Sequence, residues 1–276
     1  MILKNEANNR VALITGASSG MGKDFSLRLL DEGYIVYGAA RRIERMSDIE
    51  DAGGHTIKLD ITDDSSIVAT VDQIIKEQGR IDVLINNAGY GSYGAIEDVP
   101  IEEAKRQFEV NIFGLARLTQ LVLPHMRKNN FGKIVNISSI GGKIYSPLGG
   151  WYHATKHALE GLSDCLRFET KQFGIDVIII EPGGIESEWG GIALNAAMER
   201  SGSTAYSETA KGFKKIMETF KKQASPKVIS ELVTKALKAK KPKTRYSAGT
   251  AAKPMLFMRK ILSDRMFDNL FYLMMK

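Results

Sequence analysis

The chain has 276 residues, 43% of them apolar and 25% charged, with 26 Gly and 7 Pro, which is the make-up of a globular protein and excludes disordered, collagen-like and low-complexity classes. Lys and Arg number 38 against 32 Asp and Glu, and the resulting +6 is too small to name an anionic partner before it is located. The lone Cys165 excludes an intrachain disulfide, and with His55, His125, His153 and His157 scattered no metal site is expected; a reducing, cytoplasmic setting fits. The N-terminal MILKNEANNR is too polar for an export signal, and nowhere do about 18 apolar residues run together, so a soluble protein without a spanning helix is expected. In chain order, the aliphatic run 10–15 (RVALIT) predicts a strand that ends in a Gly-rich turn. A helix over 20–32, carrying Phe25, Leu27, Leu29 and Leu30, stops at Gly33. Strands follow at 34–39 and 55–60, a helix at about 64–78, and a strand at 81–86. A long helix from near Pro100, a strand at 133–138, a helix at about 150–173 and a strand at 176–181 complete the pattern. Six near-continuous Val/Ile/Leu strands alternating with helices predict an α/β fold: a doubly wound parallel sheet in three layers, covered on both faces. No linker or repeat divides it, so residues 1–276 read as one domain, with 187–225 a lid-like helical insertion and 250–276 an apolar C-terminal extension.

The first strand runs into Thr15-Gly16-Ala17-Ser18-Ser19-Gly20-Met21-Gly22, three glycines where a strand turns into a helix. Gly16 suits a tight turn, Gly20 a close approach of backbone to phosphate and Gly22 close helix–sheet packing, with free N–H groups at the helix start attracting the anion. A literal G-x-G-x-x-G lies elsewhere, at Gly89 to Gly94, but helical patterning resumes only near Pro100, so that stretch is read as a loop beside the site.

These residues, with Asn86-Asn87-Ala88-Gly89, Asn111, Ser139, Tyr152 and Lys156 four apart, and Pro182-Gly183, resemble the short-chain dehydrogenases/reductases over about residues 10–250. The resemblance implies a Rossmann-type fold, a catalytic domain that binds a nicotinamide dinucleotide, and a homodimer or homotetramer. It is narrower toward members acting on steroids, retinol and other hydrophobic alcohols or ketones. It implies cofactor contacts from Gly16, Ser18, Ser19, Gly20, Met21, Gly22, Asp60, Ile61, Asn87, Ala88, Gly89, Pro182, Gly183 and Ile185. It also implies that Ser139 holds the substrate oxygen, Asn111 supports a proton relay to water, and Lys156 binds the nicotinamide ribose beside Tyr152; Ser138 is the neighbouring alternative to Ser139.

Hydride transfer to a carbonyl needs a proton donor, and a helix puts Tyr152 and Lys156 on one face, where the ammonium together with an oxidised nicotinamide would favour phenolate and draw the phenol toward about 7. His153 and His157 read as packing or surface residues. Ala40 stands where an acid would select a ribose diol, and Arg41 and Arg42 follow, which favours NADP(H) over NAD(H). The loops at Tyr90 and Tyr93, 140–148 and 183–189 are partly aromatic and aliphatic, so a small hydrophobic carbonyl/alcohol pair is the expected substrate; Lys143 is the one unclaimed cation there. The Met-rich segment 253–276 leaves three readings: a helix packed on its own domain or a second subunit, a flap over a lipid-like substrate, or a membrane-surface helix. Packing is the default, membrane contact is not expected, and the basic run 235–245 reads as a solvated face. No nucleic-acid module is present. The leading expectation is an NADP(H)-dependent oxidoreductase. A non-catalytic dinucleotide-binding regulator or scaffold is the alternative, and dehydration or epimerisation would need acid/base help from Glu186 or Glu188.

Overall fold

Strand segments that read as unbroken aliphatic runs become strands hidden on both faces, because helices cover each side of the sheet. The computed structural model describes residues 9–219 and 222–276; the polar reading of residues 1–8 lies outside them. β1 (Val11–Thr15) leads through α1 (Gly20–Asp31) to β2 (Ile35–Ala40), then α2 (Ser47–Asp51) and β3 (His55–Lys58). α3 (Asp64–Gln78) precedes β4 (Val83–Asn86), and α4 (Ile101–Phe108) with α5 (Leu115–Lys128) precedes β5 (Gly132–Ile137). α6 (Gly150–Thr170) feeds β6 (Ile175–Pro182); α7 (Glu188–Ser201), α8 (Ser207–Thr219) and α9 (Lys227–Lys238) lead to β7 (Arg245–Ala248), and α10 (Ala252–Ile261) and α11 (Asp264–Met275) follow.

The sheet is parallel throughout, in the order β3-β2-β1-β4-β5-β6-β7. Its order reverses beside β1 and β4, the crevice where open α/β sheets bind ligands. Along β1, Ala12 and Ile14 face a core shared with Phe25 and Leu29 of α1 and Ile229 and Val233 of α9, while Val11 and Leu13 face one shared with α3 and α5. That alternation is the period-2 pattern of a strand expressed between two helical layers.

Seven strands stand where the sequence pattern indicated six. β7 (RYSA) is only half-buried, so it lacks the aliphatic run that marks the inner strands, and its pairing of Arg245–Ala248 with Ile179–Pro182 comes from tertiary contact. The strand expected at 34–39 begins one residue later because Gly33 and Tyr34 N–H groups still bond to Leu30 and Leu29 carbonyls at the end of α1. The helix expected to reach 173 ends at Thr170 and tightens into a 3₁₀ turn closed by Gly174 in the left-handed region (φ 68°). Between α4 and α5 the long helix widens into a π turn over Glu109–Gly114, and Asn111 sits in that turn. Among the described residues no helix is long and apolar enough to cross a membrane.

Candidate active site

The carboxyl ends of β1, β2, β4, β5 and β6 open onto a cavity of about 690 Å³ that runs from Arg41 and Arg42 to Ser139, Tyr152 and Lys156. At its β1 end the wall is main chain. Gly16 and Gly20 both adopt positive φ, 69° and 53°, and a Cβ on Gly16 would stand 2.9 Å from the Asn87 side-chain nitrogen. Gly22 does not line the cavity; a side chain there would run into the Gly16 carbonyl, so its smallness seats α1 on the turn.

The start of α1 fits an anionic group. Ser19 makes no side-chain cap bond and the first turn carries no acid, so the Gly20, Met21 and Gly22 N–H groups have no intrahelical partner, and Gly20 and Met21 stand at the cavity wall. The start of α3 is built the other way: Asp63 accepts from the Ser65 N–H at 3.0 Å and Asp64 fills the first turn. Ser18, Ser19 and Met21 line the cavity, and Arg42 Nη2 donates to Ser19 Oγ at 3.4 Å. Asp60 and Ile61 line it farther along; the Thr62 N–H holds the Asp60 carboxyl below its ordinary pKa. Ala88, Gly89, Pro182, Gly183 and Ile185 complete the floor.

Asn87 lines the cavity and also ties two strand ends together. Its amide donates to the Thr15 carbonyl at 2.9 Å, and Thr15 Oγ1 accepts the Asn87 and Ala88 N–H groups at 3.0 Å each. Thr15 thus couples the ends of β1 and β4 and shapes the glycine turn, a role that strand patterning alone does not mark. The G-x-G-x-x-G stretch has no helix start behind it, since α4 begins only at Ile101; Gly91 instead packs against Trp189 and Gly94 against Val99 and Arg200.

At the other end α6 presents Tyr152 and Lys156 one turn apart, both buried. Lys156 Nζ donates to the Ile137 carbonyl at 2.8 Å and lies 5.9 Å from the Tyr152 ring centroid. Burial pulls the ammonium down to about 8, against the pull of the Glu160 carboxylate one turn further on. Burial pushes the Tyr152 phenol up to about 12, with the Ser139 hydroxyl working against it. Desolvation beneath Tyr93 and Trp189 dominates at the phenol, and the Lys156 ammonium is engaged on the Ile137 carbonyl, so the phenol holds its proton at neutral pH.

Ser139 opens the 3₁₀ turn after β5, its Oγ accepting the Gly141 N–H at 3.0 Å and facing the Pro182 carbonyl at 3.5 Å. Ser138 lies beside it at the cavity, but its Oγ is buried without a hydrogen-bond partner among the described residues. Asn111 sits one layer behind the cavity surface. Its Nδ2 donates to the Tyr90 carbonyl (2.9 Å) and Thr155 Oγ1 (3.1 Å), and its Oδ1 accepts the Tyr90 N–H (3.1 Å). A Cβ on Gly89 would stand 3.1 Å from that Oδ1, so the close approach of the loop to Asn111 favours glycine, and 3.9 Å from Lys156 Nζ, an ordinary contact. His153 is a buried packing residue: Ser146 N–H donates to Nε2 at 3.0 Å, which leaves Nδ1–H for the Gly141 carbonyl at 2.9 Å. Lys143 turns away from the cavity to pair with Glu160 at 2.9 Å.

Trp189, at the start of α7, closes the substrate end. Its ring packs on Tyr152 (centroids 5.1 Å) and edge-on to Tyr93 (5.6 Å), and Tyr93 stacks on Phe213 of α8 at 5.4 Å. Arg200 Nη1 fastens α7 to the β4–α4 loop through Ser92 Oγ (2.6 Å) and the Tyr93 carbonyl (3.0 Å). Glu188, just before Trp189, pairs with Arg45 (3.2 Å) and Arg42 (3.7 Å), so α7 also touches the basic end. Arg45, three positions after Arg42 on a short turn, was legible only as another charge.

Glycine-shaped turn, bare helix start and buried tyrosine–lysine pair together define a dinucleotide-dependent oxidoreductase. The family model for short chain dehydrogenase matches residues 10–197, and the chain belongs to that family of NAD(P)-dependent oxidoreductases. It is 36% identical over 281 residues to the NADPH-dependent 3-dehydrocapnine reductase of Ornithobacterium rhinotracheale, spanning 95% of this chain and 96% of that one. It is 45% identical over 175 residues to the 3-ketodihydrosphingosine reductase of Bacteroides thetaiotaomicron, 63% of each chain. A short-chain dehydrogenase of Streptomyces avermitilis superposes with a TM-score of 0.82 at 32% identity, over 95% of this chain and 96% of the other.

Proposed function

We propose that the protein is an NADPH-dependent reductase of a long-chain hydrophobic ketone, a reading within the hydrophobic carbonyl class that the sequence resemblance implies. The observation that carries it is the Tyr152 phenol, protonated and sealed under Tyr93 and Trp189 in an apolar recess with Leu148 and Phe213. Lys143 is paired with Glu160 and Arg200 is held by Ser92 and Glu103, so neither of these two cations is left to meet a carboxylate substrate in the recess. Two relatives are named for reducing a 3-dehydro or 3-keto compound, and dihydrosphingosine is a long-chain amino alcohol. Preference for the 2′-phosphate rests on Arg41 and Arg42 at the cavity and on Ala40, which puts no acid at the end of β2.

When bound, the reduced nicotinamide supplies the hydride. Ser139 hydrogen-bonds the carbonyl oxygen, and Tyr152 gives that oxygen its proton as negative charge develops. Lys156 would hold the ribose and keep an ammonium beside the phenol, while Asn111 and Thr155 fix the β4 loop behind them. The test follows NADPH absorbance with long-chain 3-ketones in micelles, a steroid ketone and a short aliphatic ketone. The expected outcome is a kcat/KM at least 10-fold higher for the long-chain compound, in line with about 1–3 kcal/mol of apolar discrimination. Equal or better turnover of the steroid overturns the chain-length assignment.

A further inference from the structure

We propose that the outer face of α10 and α11 docks this protein on an anionic lipid bilayer. Both helices are anchored by their inner faces: Met255 and Met258 of α10 and Phe267 and Phe271 of α11 pack with Ile140, Ile144 and Tyr145 of the loop that begins at Ser139. The opposite faces are not covered. Phe257 (62% exposed) and Ile261 (59%) stand on α10, and Met266, Tyr272 and Leu273 (69%) on α11. Helical spacing puts Lys253 and Lys260 on the same side of α10 as Phe257, and Arg265 beside Tyr272 on α11.

Charge selects the occupant. Lys253, Lys260 and Arg265 make no ion pair among the described residues; Asp264 is paired with Arg259 at 2.7 Å, and Asp268, which accepts from the Tyr145 hydroxyl at 2.9 Å, is the one acid of α10 and α11 left with its charge uncompensated, so cations are in excess. The face therefore carries apolar side chains flanked by unmatched cations. A second copy laid on the same patch would bring three unpaired cations against their like, with only Asp268 to meet them. A bilayer with anionic headgroups meets both needs, since apolar rings enter the acyl boundary while long cationic chains reach the phosphates. The membrane-surface reading of the tail, not expected from sequence, gains its support here from the exposure of residues that a packed helix would hide.

Docking holds the Ser139 loop one helix diameter, about 10 Å, from the lipid surface. It rests on the lipid-ketone reading only for its purpose, which is to take a water-insoluble substrate from the membrane. The experiment floats the whole protein with vesicles of phosphatidylglycerol and phosphatidylcholine, or of phosphatidylcholine alone. Recovery with the anionic vesicles alone is expected, weakening with salt. Each cation removed should lower partitioning about 5-fold, so Lys253→Gln/Lys260→Gln/Arg265→Gln should abolish flotation. Phe257→Ser/Ile261→Ser/Leu273→Ser should lower it at least 10-fold, with circular dichroism and turnover of a micellar ketone unchanged for both variants. Wild-type protein that stays off anionic vesicles, or variants that bind as well as wild type, overturn the proposal. So does a dimer that the same substitutions dissolve without vesicle binding. Vesicle binding without turnover of any long-chain ketone upholds docking and refutes the substrate reading; micellar turnover without vesicle binding does the reverse.

Discussion

Where β1 meets α1 the cavity is walled by glycine backbone and helix N–H groups; where β5 meets α6 and α7 it is walled by Tyr93, Tyr152 and Trp189, held by Arg200 and His153. Backbone recognises a feature that every dinucleotide shares, so it tolerates no side-chain variation and leaves a strong sequence mark. Side chains recognise what differs between substrates, so they come from segments far apart in the chain and leave a faint one. The β1 half works by main-chain positions that nothing can replace, the α7 half by packing that can be retuned.

The sharpest way to break this contrast is at Tyr152, the proposed proton donor on the packed side. Tyr152→Phe should cut kcat by 10²–10⁴-fold, as expected for losing a positioned proton donor, with NADPH binding unchanged by fluorescence titration. Wild-type turnover in that variant would remove the acid from the mechanism. Next is the buried imidazole that holds the substrate loop. Burial drops His153 to about 4 from an ordinary 6.5. Above 6.5 folded and unfolded chains are both neutral there; between 6.5 and about 4 only the unfolded chain binds the proton, so stability falls as pH falls through that window. The loss should reach roughly 3 kcal/mol by pH 4. Urea melts from pH 7 to 4.5 should show it, with a shallower pH slope in His153→Gln, itself less stable at pH 7.

On the backbone-walled side, Arg41→Ala/Arg42→Ala should weaken NADPH about 100-fold and leave NADH within about 2-fold, from two charge-assisted contacts worth about 1.5–3 kcal/mol each at most. Equal loss for both cofactors in calorimetry would refute the phosphate assignment. Trp189→Ala should raise KM for the long-chain ketone about 3–10-fold with kcat little changed, the scale of a lost aromatic pair. The smallest effect should come from Glu188→Gln. It frees Arg42 and Arg45 from an exposed ion pair and should tighten NADPH about 2-fold or less; weaker binding would show that Glu188 organises those arginines.

How much was legible follows the same division. Thr15 to Gly22, Ala88-Gly89 and the Tyr152–Lys156 spacing lie within continuous segments, and the structure gathers them at one cavity because each ends a strand of the same sheet or opens the helix after it. Asn87 was legible as a site residue but not as the clasp between β1 and β4, because its partners lie 71 and 72 positions away. β7 escaped notice because an edge strand needs only backbone pairing, not an aliphatic run.

The amino-acid sequence by itself determined the alternation of strands and helices, the glycine turn and the phenol–ammonium pair, because periodicity, backbone permissiveness and helical spacing are local properties of the chain. Only the tertiary structure decided how deeply the Tyr152 phenol is desolvated and where the Lys156 ammonium is engaged, since that depends on which rings cover the phenol and which carbonyl meets the ammonium. The tertiary structure likewise decided which apolar residues of α10 and α11 are inside and which remain outside, because burial is fixed by what packs against a helix and not by the helix's own sequence.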